Sequence, residues 1–101
     1  MDFKVEGNEE RFVVRVIGEV TADSSAELRQ FITDLSQNRP KEIVLELSEL
    51  TFIDTSGLGV LVGLRAHARK YGMTLSLANP TPRVMQVLRV TQLSKVFGLK
   101  D

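Results

Sequence analysis

Two early segments are apolar, Phe3 to Val5 and the β-branched run Phe12 to Ile17, and between them stand Gly7, Asn8, Glu9 and Glu10. The turn residues between the segments and the β-branched content of the second predict a hairpin that Gly18 ends. The period then changes. Leu28, Phe31, Ile32 and Leu35 recur at three and four residues, one face of a helix that Thr21 or Asp23 is placed to cap and that Asn38 and Pro40 close. Glu42 to Leu47 has a nearly continuous apolar centre, the pattern of a central strand covered by helices on both faces.

After Ser48 to Ile53 comes Asp54-Thr55-Ser56-Gly57, whose side-chain oxygens suit a helix start. The helix predicted from there runs to Tyr71, with a core stripe of Val60, Leu61, Leu64, Ala68 and Tyr71, and Gly72 is the left-handed residue that stops it. Met73 to Leu77 predicts a strand. Pro82 sits just inside a third helix with Val84, Val87, Leu88, Val90 and Leu93 on its apolar side, and Val96 to Leu99 predicts a short final strand. The expected fold is α/β: an N-terminal β-hairpin followed by two βαβ units, making a mixed sheet of four to five strands with flanking α-helices. No repeat or linker composition interrupts it, so residues 1–101 are expected to form a single domain.

Composition narrows the function classes. Thirteen basic residues balance thirteen acidic ones, with no basic block of the kind that displaces counterions from nucleic acid. No apolar run approaches the length of a membrane span, and no secretory leader pattern opens the chain, so the expected setting is cytoplasmic, without membrane insertion. Absence of Cys removes disulfides, thiolate metal sites and Cys nucleophiles. One His and scattered carboxylates match no zinc or calcium spacing, and neither phosphate-loop nor dinucleotide glycine pattern occurs, so no metal or cofactor is expected.

The segment with chemical interest is therefore Asp54 to Gly57. A carboxylate and two hydroxyls within four residues at a helix start lie where N–H donors and the helix dipole favour negative charge, so a phosphate there would be tolerated. Asp54 or Ser56 as a plain cap, with Gly57 easing the turn, explains the same residues structurally. Leu58 and Val62 fall off the core stripe beside this turn. Either they form a docking surface, or Gly59 and Gly63 let another helix press closely there. Phosphorylation of Ser56 would add charge beside apolar contacts and penalise association. A serine hydrolase is disfavoured: no nucleophile-elbow pattern surrounds Ser56, and His67, expected to face solvent, lies about 16 Å along the helix at 1.5 Å per residue. The expectation is a protein that is not an enzyme.

Four segments together resemble the STAS domain family, specifically its small stand-alone bacterial anti-sigma factor antagonists. They are Ile17-Gly18-Glu19-Val20, Ile43-Val44-Leu45-Glu46-Leu47, Phe52-Ile53-Asp54-Thr55-Ser56-Gly57-Leu58-Gly59-Val60-Leu61, and Pro82-Arg83-Val84 leading to Val87-Leu88. The resemblance implies partner switching: the unphosphorylated form binds an anti-sigma factor serine kinase and releases a sigma factor, phosphorylation reverses this, and a metal-dependent serine phosphatase resets it. It assigns the phosphate to Ser56 rather than Thr55, with Asp54, Thr21 and Gly57 around it and Leu58, Val62 and Thr55 toward the partner. Family members also serve as subunits of transporters or other signalling complexes, a second implied role that needs no phosphorylation. Two departures stand out: the family turn Gly-Glu-Leu-Asp reads Gly18-Glu19-Val20-Thr21 here, and a C-terminal Gly-Leu becomes Gln92-Leu93.

Overall fold

A computed structural model describes residues 1–100. Strands β1 (Asp2–Gly7) and β2 (Arg11–Val20) form the hairpin, with Asn8 and Arg11 exchanging both backbone hydrogen bonds at its tip. Helix α1 (Ser25–Ser36) crosses to β3 (Glu42–Glu46), which lies parallel to β2. Short β4 (Leu50–Ile53) precedes α2 (Thr55–Lys70), and β5 (Thr74–Ala78) returns parallel to β3. Helices α3 (Pro82–Val90) and α4 (Leu93–Val96) complete the described residues. The sheet has five strands in the order β1-β2-β3-β5, with β4 beside the far end of β2.

Gly18 does not end β2. It takes φ +110° at a register shift, and beyond it the strand changes neighbour from β3 to β4, pairing Glu19 with Phe52 and Val20 with Ile53. A bulge bends a strand and raises its twist, which is how one edge of a ten-residue strand serves two partners while the other pairs with β1. Met1 lies against this glycine.

One sheet face is closed. Val14, Val16, Ile43, Leu45, Leu75 and Leu77 are buried on it, in one core cluster with Leu28 and Ile32 of α1, Leu61 and Leu64 of α2, and Val84 and Leu88 of α3. Phe31 of α1 stacks on Phe3 with ring centroids 4.2 Å apart. The opposite face is open, contrary to the expectation of helices on both sides of β3. Its alternate residues are charged: Arg11 pairs with Glu42 at 2.9 Å, and Arg15 with Glu46 and Glu49, each at 3.3 Å. Val44 is buried there by these long neighbours, so an apolar run in β3 arises without a second helical layer. Burial is the strongest single influence on the Glu46 carboxyl and raises its pKa. The N–H and hydroxyl of Ser48, with Arg15, outweigh it and hold the group below its ordinary value.

Helix ends follow the local chemistry. Thr81 caps α3 by accepting from Val84 N, Pro82 occupies the first turn, and Gly72 takes φ +75° after α2. Neither Thr21 nor Asp23 caps α1. Thr21 instead opens a turn in which its N–H donates to Ser24 Oγ, while its carbonyl accepts from Ser24 N and Ser25 N. The expected final strand at Val96 to Leu99 is absent among the described residues. α4 occupies Leu93–Val96, Gly98 turns left-handed, and Leu93, Phe97 and Leu99 pack on the core from helical and turn positions. Gln92, at the start of α4, has φ +67°. Because a side chain in that region costs roughly 1–2 kcal/mol, Gln92→Gly should raise stability by about 1 kcal/mol in chemical denaturation. An unchanged or lower midpoint would count against strain at this turn.

Candidate functional site

The start of α2 is built by Asp54. Its Oδ1 accepts from Gly57 N at 3.0 Å, its carbonyl from Leu58 N at 3.0 Å, and its own N–H donates to Val20 O at 3.1 Å. The second carboxylate oxygen, Oδ2, accepts from Ala22 N at 3.1 Å, tying the β2–α1 turn to the helix start. Asp54 is thus the cap, and Ser56 is released from that role.

Gly57 is where the helix meets the strand. A Cβ there would stand 2.6 Å from Ile53 Cγ1 and 2.7 Å from Val20 Cγ1, closer than carbon atoms pack. Only glycine lets this first turn sit against the end of β2. Thr55 and Ser56 face outward, both exposed, and neither side chain hydrogen-bonds within the described residues. Their N–H groups, at the first two helical positions, have no intrahelical acceptor either. A nucleophilic hydroxyl accordingly stands free at the positive end of a sixteen-residue helix.

Beyond Ser56 the outer face of α2 is smooth. Gly59, Val62, Gly63 and Ala66 are exposed, Val62 at 44 %, and a Cβ on either glycine would meet nothing within 4 Å. No second helix presses on these glycines, so close helix packing does not account for them. Leu58 departs from the expectation: it is 7 % exposed and part of the core, because the buried side of α2 is Gly57, Leu58, Val60, Leu61, Leu64 and Ala68. Gly59 takes the outward place expected of Leu58. Tyr71 also departs, at 43 % exposed, since it caps the helix outside helical geometry and Met73 fills the core position.

Thr21 lies near the site through its turn: it is half-buried, and the adjacent Ala22 N–H is the one that holds Asp54. Ala22 escapes sequence reading because its contribution is a backbone donor, which any residue type but proline supplies. Gly59 is signalled only by its spacing from Ser56 and Val62 on one helical face. His67 is half-buried, not solvent-facing. Its Nε2 is 3.5 Å from Ser36 Oγ and its ring leans on Tyr71, beside a cleft of about 130 Å³ also lined by Gln37, Arg39 and Met73. That cleft is at the other end of α2 from Ser56, so His67 does not pair with Ser56. Among the described residues no group of three His, Cys, Asp or Glu is placed to hold a metal, and no helix is long and apolar enough to cross a membrane.

The STAS domain model matches residues 2–101. The anti-sigma F factor antagonist of Paenibacillus polymyxa is 31% identical over 104 aligned positions, covering 100% of this chain and 89% of that protein. The crystal structure of an anti-sigma factor antagonist from Mycobacterium paratuberculosis superposes with a TM-score of 0.86 at 26% identity, covering 97% of this chain and 83% of that one. The Bacillus cell fate determinant SpoIIAA in its phosphorylated form gives 0.71 at 25% identity, over 93% and 86% of the two chains.

Proposed function

This chain belongs to the STAS domain family, and from that premise we propose that it is an anti-sigma factor antagonist switched by phosphorylation of Ser56. In the unmodified state it binds an anti-sigma factor serine kinase through the outer face of α2 and frees the sigma factor. The kinase transfers the γ-phosphoryl group of ATP to Ser56 Oγ, the hydroxyl proton passes to a base of the kinase, and ADP departs. Phosphoserine then adds about −1.5 to −2 charge at the edge of the docked surface. A metal-dependent serine phosphatase hydrolyses the ester and restores binding, the whole cycle running in the bacterial cytoplasm.

The observation that carries this reading is the exposed, unbonded Ser56 hydroxyl at the second position of α2, bordered by the smooth face of Gly59, Val62 and Gly63. Such an acceptor can be modified without dismantling the fold. Asp54 is already committed to Gly57 and Ala22, and the helix dipole favours the added charge, so the penalty falls on association. Thr55 shares the turn. Ser56 is preferred on the resemblance of the Asp-Thr-Ser-Gly-Leu segment to its family.

Incubation with the anti-sigma factor kinases of the source organism and ATP, followed by peptide fragmentation, should locate one phosphate on Ser56. Ser56→Asp should weaken kinase binding by about tenfold or more, equivalent to 1.4 kcal/mol, while Ser56→Ala remains close to the parent. Equal affinities of the two variants would remove the switch. A folded protein that no such kinase modifies would shift the assignment to a STAS subunit docked without phosphorylation in a transporter or other complex.

A further inference from the structure

Strand β1 is an edge, and its free side is unusually well specified. Because Asn8 and Arg11 exchange both backbone hydrogen bonds, the alternation of an antiparallel ladder makes Glu6–Val13, Lys4–Arg15 and Asp2–Ile17 the hydrogen-bonded pairs. Phe3, Val5 and Gly7 then direct their N–H and C=O groups away from β2. The six-residue strand has continuous register, no bulge and no proline, so what guards this edge against pairing is its charged side chains, Asp2, Lys4 and Glu6, which admit only a partner of matching charge pattern.

Its side chains add a pattern. Asp2, Lys4 and Glu6 lie on the open face, where Arg11 and Arg15 of β2 are matched by Glu42, Glu46 and Glu49. The three β1 charges have no ion-pair partner among the described residues, and Lys4 stands opposite the already engaged Arg15. On the other face Val5 is 41 % exposed, whereas Phe3 is covered by Phe31.

We infer that β1 is a homodimer interface: two copies pair antiparallel about a two-fold axis at Val5, each Lys4 facing Glu6 of the second copy. In this register Val5 opposes Val5 and Phe3 opposes Gly7, all through outward-pointing backbone groups. Opposite charges meet directly at Lys4 and Glu6, and those pairs occur twice by symmetry. A shift that centres the axis on Lys4 sets Lys4 against Lys4 and Asp2 against Glu6, placing like charges together. Centring on Phe3 pairs Asp2 with Lys4 but brings the two Phe31 helices over one point. The Val5 axis instead sends these helices to opposite ends of the seam. It also lies about 20 Å along β2 from Val20 at 3.3 Å per residue, so both Ser56 turns stay open. The inference is independent of what binds Ser56.

Sedimentation of the full chain across concentration should show a monomer–dimer equilibrium that weakens with added salt. Lys4→Glu should raise the dimer dissociation constant about tenfold or more, and adding Glu6→Lys should restore it, because the swapped charges again face their opposites. Val5→Pro removes an N–H that β2 does not use and should abolish dimerisation while circular dichroism stays native. Oxidised Val5→Cys, in a chain without other Cys, should yield a disulfide-linked pair. A folded parent that remains monomeric at about 1 mM overturns the inference. So does a dimer indifferent to Lys4→Glu and Val5→Pro, or one that the charge swap fails to rescue.

Discussion

Gly57→Ala is expected to lower the midpoint of thermal unfolding by about 5–15 °C, although alanine is the better helix former. Added methyls in a filled space cost about 1–3 kcal/mol, and the new Cβ has backbone as well as side chains to meet: Val20 O stands 3.1 Å from it, behind Val20 Cγ1 and Ile53 Cγ1. Helix propensity returns up to about 1 kcal/mol, leaving a net loss that converts at roughly 4–8 °C per kcal/mol for a chain of this size. Gly59→Ala and Gly63→Ala supply the contrast. Their methyls meet nothing within 4 Å, so each should leave the midpoint unchanged or raise it. The three variants measured together by circular dichroism separate crowding from propensity. Equal midpoints for all three would mean that β2 yields to the helix and that Gly57 is not a fixed point of contact. If crowding is relieved by moving the first turn of α2, Ser56 moves with it, and Gly57→Ala should lose kinase affinity beyond the fraction unfolded.

How far the site is legible in the chain depends on which kind of interaction makes it. The helix start at Asp54 can be read because caps are local: the side chain bonds a backbone group three residues on. Gly72 and Pro82 are legible for the same reason. The inward turn of Leu58 is less so, since residues 57 to 61 are three apolar side chains and two glycines, with no polar position among them, and the stripe can be drawn through them more than one way. Burial selects Leu58 and Leu61 together and leaves Gly59 outside. β4 is illegible as a strand because its four residues have meaning only against the end of β2, and the bulge at Gly18 that creates this vacancy reads locally as a terminator. The misassigned C-terminus has the same origin. Val96 to Leu99 carries strand-like composition, but β5 is the last described strand, and the apolar residues reach the core from a short helix and a left-handed turn. Open and closed sheet faces differ by charge alternation in β2 and β3 that is visible only once the strands are set in register.

Asp54→Ala should be the costlier substitution at the site, by about 2–3 kcal/mol in chemical denaturation. Loss of a helix cap costs about 0.5–2 kcal/mol, and a hydrogen bond to a charged group contributes about 1.5–3 kcal/mol, the two losses overlapping because water reaches the vacated amides. The two carboxylate oxygens serve different elements, Oδ1 the first turn of α2 and Oδ2 the Ala22 amide of the β2–α1 turn, so their loss can be resolved. Asp54→Asn keeps one acceptor for Gly57 but turns an NH2 toward Ala22 N–H, donor against donor. It should therefore fall between parent and alanine variant in stability, with amide exchange accelerated at Ala22 more than at Gly57, whereas Asp54→Ala should accelerate both. Equal protection of Ala22 in parent and Asp54→Asn would sever the proposed tie between the turns. This tie bears on the proposed switch. Thr21 brings no carboxylate to its turn, and Asp54 is the one that joins that turn to the helix carrying Ser56. Loosening it should slow phosphorylation of Ser56 by presenting the hydroxyl in many orientations, even under conditions where Asp54→Ala is fully folded. An unchanged modification rate for the folded variant would confine Asp54 to the role of a cap.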